Sequence, residues 1–354
     1  MAIKRFAAIA DTTITNAFSA NSGLQARATG SNMGLADSLE VYSVYGRASS
    51  SFGSGQSAEL SRILIKFPVT TTDDSANSIQ AKRTSGEIPA SGNVSFYLKM
   101  YNVAHANTLP VGAKMNVFAV SRSWEEGRGV DLDTYTDKTY DNVGSNWINA
   151  SSSYKWARPG GDYHTGSAAG DLNSIIMYSQ TFPSGSEDLD VDITHLVERW
   201  LRASGATNED EGYTNYGVGV FLTSSYESYF SSSTGADLPE VPPNTIHGTD
   251  TPSISGGIHH NPDGATESYY TKKFSARGSE YFYKRPIIEA RWDDSQKDDR
   301  GSFYYSSSLA NPAENLNTIY LYNYFRGQLR NIPDVGTGLM YVSFFSGNLD
   351  NTEP

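Results

Sequence analysis

An all-β fold is predicted for this chain: a jelly-roll β-sandwich with one short helix, followed by a small β segment. Three observations carry the prediction. About ten short runs alternate apolar and polar residues with period two, the mark of a half-buried strand. They are joined by stretches of Ser, Gly, Asn and Pro, so turns recur throughout. The composition agrees, with 23 Tyr and 32 Gly but only 19% charged residues, a mixture that suits pleated surfaces and tight connections. Many short strands with few helices point to a sandwich.

In chain order, residues 5–18 read as an opening strand with loose alternation at Phe6, Ile9, Ile14 and Phe18. Leu35–Tyr45 alternates, with Leu39, Val41, Ser43 and Tyr45 on one face. Leu60–Val69 is nearly continuous in apolar residues at its centre, which predicts a central strand. Residues 70–92 are polar and read as a long loop or insertion. Val94–Val103, Met115–Val120 and Ser174–Phe182 follow as strands, and in 188–192 the acids Asp188, Asp190 and Asp192 form the wet face of another. One segment has helical spacing: Ile193, Leu196, Val197, Trp200 and Leu201 make a stripe that predicts a helix over 193–203. Asp192 or Thr194 is placed to cap its start. Tyr216–Ser224, Tyr269–Ser275 and Arg285–Trp292 complete the unit, with a polar excursion over 231–265. The charged run DDSQKDDR sets a boundary, giving a domain over 1–292. A segment over 301–354 then carries strands at Thr318–Tyr324 and Leu339–Phe345.

The net charge of −12 argues against nucleic-acid binding, which needs Lys and Arg to neutralise phosphates, and against anionic membranes. No Cys is present, so disulfides and thiolate chemistry are excluded and folding in a reducing cytosol is expected. The start of the chain reads as no signal peptide, because Asp11 interrupts a short apolar run. No run approaches the ~20 apolar residues of a membrane helix.

The stretch Ser121–Tyr163 holds Trp124, Trp147 and Trp156 among glycines and acids. It predicts a long ordered loop whose rings plug a core, with Trp124 and Trp147 mostly buried. Asp131, Asp133 and Asp137 have the spacing that opens a calcium loop, so a structural calcium ion is a candidate there. Thr136 replaces the turn glycine and Asn142 the bidentate glutamate, which favours a solvated acidic loop; Glu125 and Glu126 are further cation candidates. No other cofactor is expected. His259 and His260 beside Asp263 read as a loop tip, because adjacent side chains diverge in an extended chain, and His195 as the polar side of the helix. Glu125 and Glu126 beside Trp124 form the one carboxylate pair near a sugar platform. There is no G-x-S-x-G, P-loop or dinucleotide fingerprint, and no enzyme is expected. Trp124, Tyr226, Tyr229, Phe230, Tyr320, Tyr322 and Tyr324 are the candidate contacts with a ligand or partner. For Tyr226, Tyr229 and Phe230 a lid on the core is the equal alternative.

The order of these pieces resembles the DNRLRE-type domain, a jelly-roll module similar to carbohydrate-binding modules of bacterial surface and phage structural proteins. The matching pieces are SRILIKF, MNVFAVSRSW with WEEG, SNW, KWARPGGDY, DVDITHLVERWL, NYGVGVFL and FSARGSEYFYKRPIIEARW, over about residues 5–292. With NTIYLYNYFRGQLRNIP added, the chain looks like part of a tailed-phage virion protein. The resemblance implies a non-enzymatic particle component of the tail, neck, baseplate or head surface. Such a protein is made in the host cytoplasm, forms homo-oligomers and contacts other virion proteins. A carbohydrate-binding or adhesion module for a host glycan is the alternative.

Overall fold

A computed structural model of the chain describes residues 2–18, 28–46, 58–105, 109–130, 143–164, 177–202, 213–229, 261, 263–294, 308–313, 315–317, 319–332 and 341. The chain divides into two compact units, Met1–Asp293 and Asp294–Pro354.

The first unit carries strands β1 (Ala2–Ala7), β2 (Ala10–Thr15), β3 (Ser38–Tyr45), β4 (Ala58–Lys66), β5 (Ser95–Met100) and β6 (Ala113–Ala119). They are followed by β7 (Met177–Phe182), β8 (Leu189–Asp192), β9 (Val218–Leu222), β10 (Tyr269–Ser275) and β11 (Ile287–Trp292). One sheet has the order β1-β11-β5-β8, the other β10-β3-β4-β9-β6-β7, with β2 also pairing β4. If β2, β3 and β10 are set aside, eight strands remain. Counted in chain order, one sheet reads first-eighth-third-sixth and the other second-seventh-fourth-fifth. That is the two-Greek-key order of a jelly roll, and the predicted fold class stands.

The expected opening strand is two strands. β1 pairs with β11 in one sheet and β2 with β4 in the other. The switch takes two residues: Ala8 N–H donates to Pro286 O (3.0 Å) and Ile9 N–H to Lys66 O (2.8 Å).

The apolar centre of β4 has a two-sided explanation. Ile63 and Ile65 face the sandwich core with Phe96, Leu98, Val117, Val218 and Val220. Leu60 and Leu64 join Ile14, Val120, Trp147 and Trp156 in a second cluster. A strand covered on both faces has no polar side to alternate with. The stretch after β6 supplies that second cover.

The helix expected over 193–203 is α2 (Thr194–Arg202), which buries Leu196, Val197 and Trp200. The expectation of a single helix is corrected: α1 (Ile79–Thr84) lies within the polar stretch 70–92. Ser78 caps it by accepting from Ala81 N, and Ile79 is its only buried residue. One apolar contact leaves no periodicity to read.

In the second unit, β12 (Asn323–Phe325) pairs with β13 (Gln328–Arg330). The turn residues Arg326 and Gly327 both have positive φ, 52° and 76°, the requirement of a type I′ hairpin. The strand expected over Thr318–Tyr324 thus begins at Asn323. Of that expected over Leu339–Phe345, only Tyr341 lies within the described residues, outside any strand.

Candidate functional site

The tryptophan-rich stretch lies on the outer face of the second sheet. Trp147 is wholly buried and Trp156 nearly so, its Nε1 donating to Asn146 O at 2.8 Å. Trp124 is half-buried and donates through Nε1 to Tyr216 O (2.8 Å). Two of the three rings are therefore packing, and no flat tryptophan platform forms. The glycines of the stretch now have a cause. A Cβ on Gly127 would lie 2.2 Å from the Asn32 amide, and one on Gly129 only 1.6 Å from Asn32 O. Asn32 is fully buried and spends all of its amide. Nδ2 donates to Glu126 O (2.8 Å) and Ser145 O (2.7 Å), while Oδ1 accepts from Gly34 N (3.1 Å) and Gly129 N (2.8 Å). It pins both flanks of the acidic insertion.

The acids beside Trp124 are engaged within the protein, Glu125 by the loop itself and Glu126 by residues outside it. Glu125 accepts from Gly144 N and Ser152 N at 3.3 and 3.1 Å. Glu126 accepts from Asp11 N (2.9 Å) and from Arg277 Nε and Nη2 (3.0 and 2.6 Å). Asp11 takes the Arg277 backbone N–H at 2.5 Å and is almost wholly buried. Burial pushes its pKa up to about 7, helped by the Glu126 charge and opposed by Arg277 and Arg285. The folded chain then holds a proton that the unfolded chain has released. Stability from this group is greatest at low pH and declines as pH rises from 3.8 to about 7. In Asp11→Asn that component of the decline should vanish in thermal unfolding across this window; an unchanged slope would refute the assignment.

The described part of the loop YESYFSSS, Tyr226–Tyr229, folds back. Tyr226 packs edge-on to Tyr270 and Tyr229 edge-on to Tyr45, each with centroids 6.3 Å apart. Between them Glu227 enters the protein and meets Arg62 of β4 with two bonds, Nε to Oε1 (3.1 Å) and Nη2 to Oε2 (3.0 Å). Arg62 also donates to Gly160 O (3.2 Å), and its guanidinium lies over Phe221 (4.6 Å) and Trp147 (5.5 Å). Burial works against the charge, but Glu227 and Tyr163 raise the Arg62 pKa above its usual value.

A second buried cation, Lys272 of β10, donates to Asn102 Oδ1, Gly185 O and Glu187 O, each at 2.7 Å. Burial lowers its pKa to about 8, against the raising fields of Glu187 and Asp188. With three acceptors for three N–H groups, it ties loops together and keeps no donor free.

A cavity of about 330 Å³ opens where the end of β4, the loop 70–73, α1, α2 and the segment before β9 meet. Asp73 forms its fixed polar wall. It pairs with Lys66 (2.9 Å) and accepts from Thr70 N (3.0 Å), Thr70 Oγ1 (2.9 Å) and Asn215 Nδ2 (2.8 Å). Burial raises the Asp73 pKa, but these partners outweigh it and hold the carboxyl below its ordinary range. Trp200 and Tyr216 supply the rings. Tyr216 is the residue whose carbonyl holds Trp124, so the cavity and the most open of the loop tryptophans are neighbours.

The remaining candidates are dispersed. Asp131, Asp133, Asp137, Phe230, His259 and His260 lie outside the described residues; Asp263 is exposed. His195 is half-buried on α2, and burial with Arg199 and Arg202 lowers its pKa. Asp190 pairs with Lys99 and Arg291, Asp192 caps Thr194 N, and Asp188 accepts from Asn102 N. Among the described residues no group of three His, Asp or Glu is placed to hold a metal ion, and no helix is long and apolar enough to cross a membrane. In the second unit Tyr320 and Tyr324 are exposed, and Tyr322 is half-buried with its ring 6.4 Å from Tyr324. The sequence reading passed over Tyr281, Phe282 and Tyr283, three successive exposed rings between β10 and β11.

No protein-family model matches the chain, and no curated protein sequence matches it.

Proposed function

We propose that this chain is a non-enzymatic structural component of a tailed-phage particle, with a rigid jelly-roll unit and a second unit that makes the assembly contacts. One observation carries the reading. The described residues of the second unit hold Leu309, Leu316, Ile319, Leu321, Tyr324, Phe325, Leu329 and Tyr341, all exposed, and none of them is in either core cluster. Leu309 is 96% and Tyr341 86% exposed. Apolar side chains at this density are covered in a working protein, and the three-residue strands of its hairpin leave edges to be paired. Binding to copies of itself and to other virion proteins meets both needs. The resemblance to DNRLRE-type modules of phage structural proteins supports the same setting. Glu125 and Glu126, the acids nearest a sugar-sized ring, are taken up by loop N–H groups and Arg277, which favours a structural over a hydrolytic use.

The test is a chain ended after Asp293 beside one carrying Leu321→Ser with Phe325→Ser. Sedimentation should show both as monomers at concentrations where the full chain associates. Mass spectrometry of purified particles should find neither of them incorporated. Normal entry of the shortened chain into particles would refute the reading.

A further inference from the structure

We propose that Lys272 and Asn102 join in an isopeptide bond, a covalent cross-link between the two sheets that the folded chain makes on itself, independently of the assembly contacts. β5 and β10 belong to different sheets. Two residues beyond the end of β5, Asn102 pairs with Phe274 of β10 and gives its backbone N–H to Asp188 Oδ1 (2.7 Å), so its side chain starts from a fixed point. Lys272 is completely buried, and its Nζ lies 2.7 Å from Asn102 Oδ1. A C=O bond is about 1.2 Å long, which puts Asn102 Cγ within about 4 Å of the amine. Groups held at such range react as if at very high concentration. Asn102 Nδ2, the leaving nitrogen, makes no hydrogen bond among the described residues. Asn102 is only half-buried, so ammonia has a way out.

The surroundings favour the reactive form of the amine. Phe182 and Phe274 place their rings 5.1 and 5.2 Å from Nζ. Burial lowers the Lys272 pKa to about 8, so the neutral amine, which is the nucleophile, is populated near neutral pH. That amine has two N–H groups and one lone pair. Gly185 O and Glu187 O, both backbone carbonyls at 2.7 Å, take the two N–H groups. The lone pair is left the third direction, that of Asn102. The acids acting on the ammonium are Glu187 and Asp188. Glu40 on β3 turns instead to Lys273 (3.6 Å), and His105 spends its ring nitrogens on Val103 O and Thr271 O. Glu187 Oε2 is the only buried carboxylate oxygen among the described residues that has no hydrogen bond, and it receives the proton that the ammonium sheds. The amine then attacks Cγ, the Cγ–Nδ2 bond breaks, Nζ passes a second proton to Nδ2, and ammonia leaves. The step is redox-neutral. It gives a chain without Cys the kind of long-range tie that a disulfide supplies elsewhere, here across 170 positions.

Mass spectrometry of the intact, folded full chain tests this. The chain should weigh about 17 Da less than its sequence requires, the mass of the ammonia lost to the amine. Protease digestion should then yield a peptide containing Asn102 joined to one containing Lys272. Lys272→Arg and Asn102→Ala should each restore the full mass; the half-buried Asn102 position keeps the comparison open if the buried lysine proves necessary for folding. In freshly synthesised chain, Glu187→Gln should slow the loss of mass about tenfold or more. Four results overturn the proposal: the full sequence mass in the folded chain after prolonged incubation near pH 8, where the amine is largely neutral, a joined peptide from a different pair, a loss of mass that survives in Asn102→Ala, or an undiminished rate in Glu187→Gln.

Discussion

Arg62→Ala is expected to destabilise the first unit by about 3–5 kcal/mol, the cost of stranding one member of a buried ion pair. Glu227 would be left without the two N–H groups that satisfy it, while its side chain stays only 4% exposed. Gly160 O would lose its donor, and the ring faces of Phe221 and Trp147 would lose the plate that fills the space between them. A loss of this size is a large part of the ~5–15 kcal/mol by which domains are stable. The pair is not itself a large source of stability, because removing two charges from water costs much of what their attraction returns. Arg62→Met combined with Glu227→Leu should therefore recover most of the loss of the single substitution. Chemical denaturation of the two variants and the parent decides the matter. If Arg62→Ala costs under about 1 kcal/mol, the pair is not buried in solution.

Asn32→Ala should cost a similar amount by a different route. It removes no charge, but it leaves two carbonyls and two N–H groups without partners in a buried site. Each orphan costs about 1–3 kcal/mol unless water enters, so a total of about 3–5 kcal/mol is expected. The effect should also be local. Asn32 joins the strand-linking loop to both flanks of the acidic insertion, so hydrogen exchange should rise first at Gly129 and Ser145. Asn32→Asp keeps the acceptor and loses both donors, and should fall between Ala and the parent. Equal losses in the two variants would show that the Oδ1 acceptor contributes nothing.

What the sequence reveals depends on how local the cause is. Strand β4 is legible because both of its faces are covered within one run of residues. Helix α2 is legible because its buried stripe repeats within thirteen residues. The break between β1 and β2 is not, since Ala8 and Ile9 look like any other step of an alternating run; the change of sheet is decided by Pro286 and Lys66, distant in the chain. Arg62 and Glu227 are 165 positions apart, and an arginine inside an apolar strand carries no sign of its partner. The glycines of WEEGRG announce a loop, but only Asn32, 97 positions from Gly129, explains why no side chain fits. The cavity is harder still to foresee, since its wall is drawn from β4, α1, α2 and the segment before β9. Of the second unit, the sequence singles out Tyr320, Tyr322 and Tyr324, of which Tyr320 and Tyr324 are exposed and Tyr322 is half-buried.

The pairing of β1 with β11 also sets an order of events in time. Ala2 lies opposite Trp292 and Ala7 opposite Ile287, so the first strand of the unit waits for its last. While the ribosome works through the intervening chain, β1 lacks its neighbour β11, the only strand beside it among the described residues. The sandwich therefore closes as a late, whole-unit event, slowed by the long loop that must be gathered in. Until that moment the apolar faces of β4 and β6 are open to other chains. A cell making this protein in quantity must keep half-finished copies apart, and a ribosome stalled before residue 287 releases a species prone to aggregate.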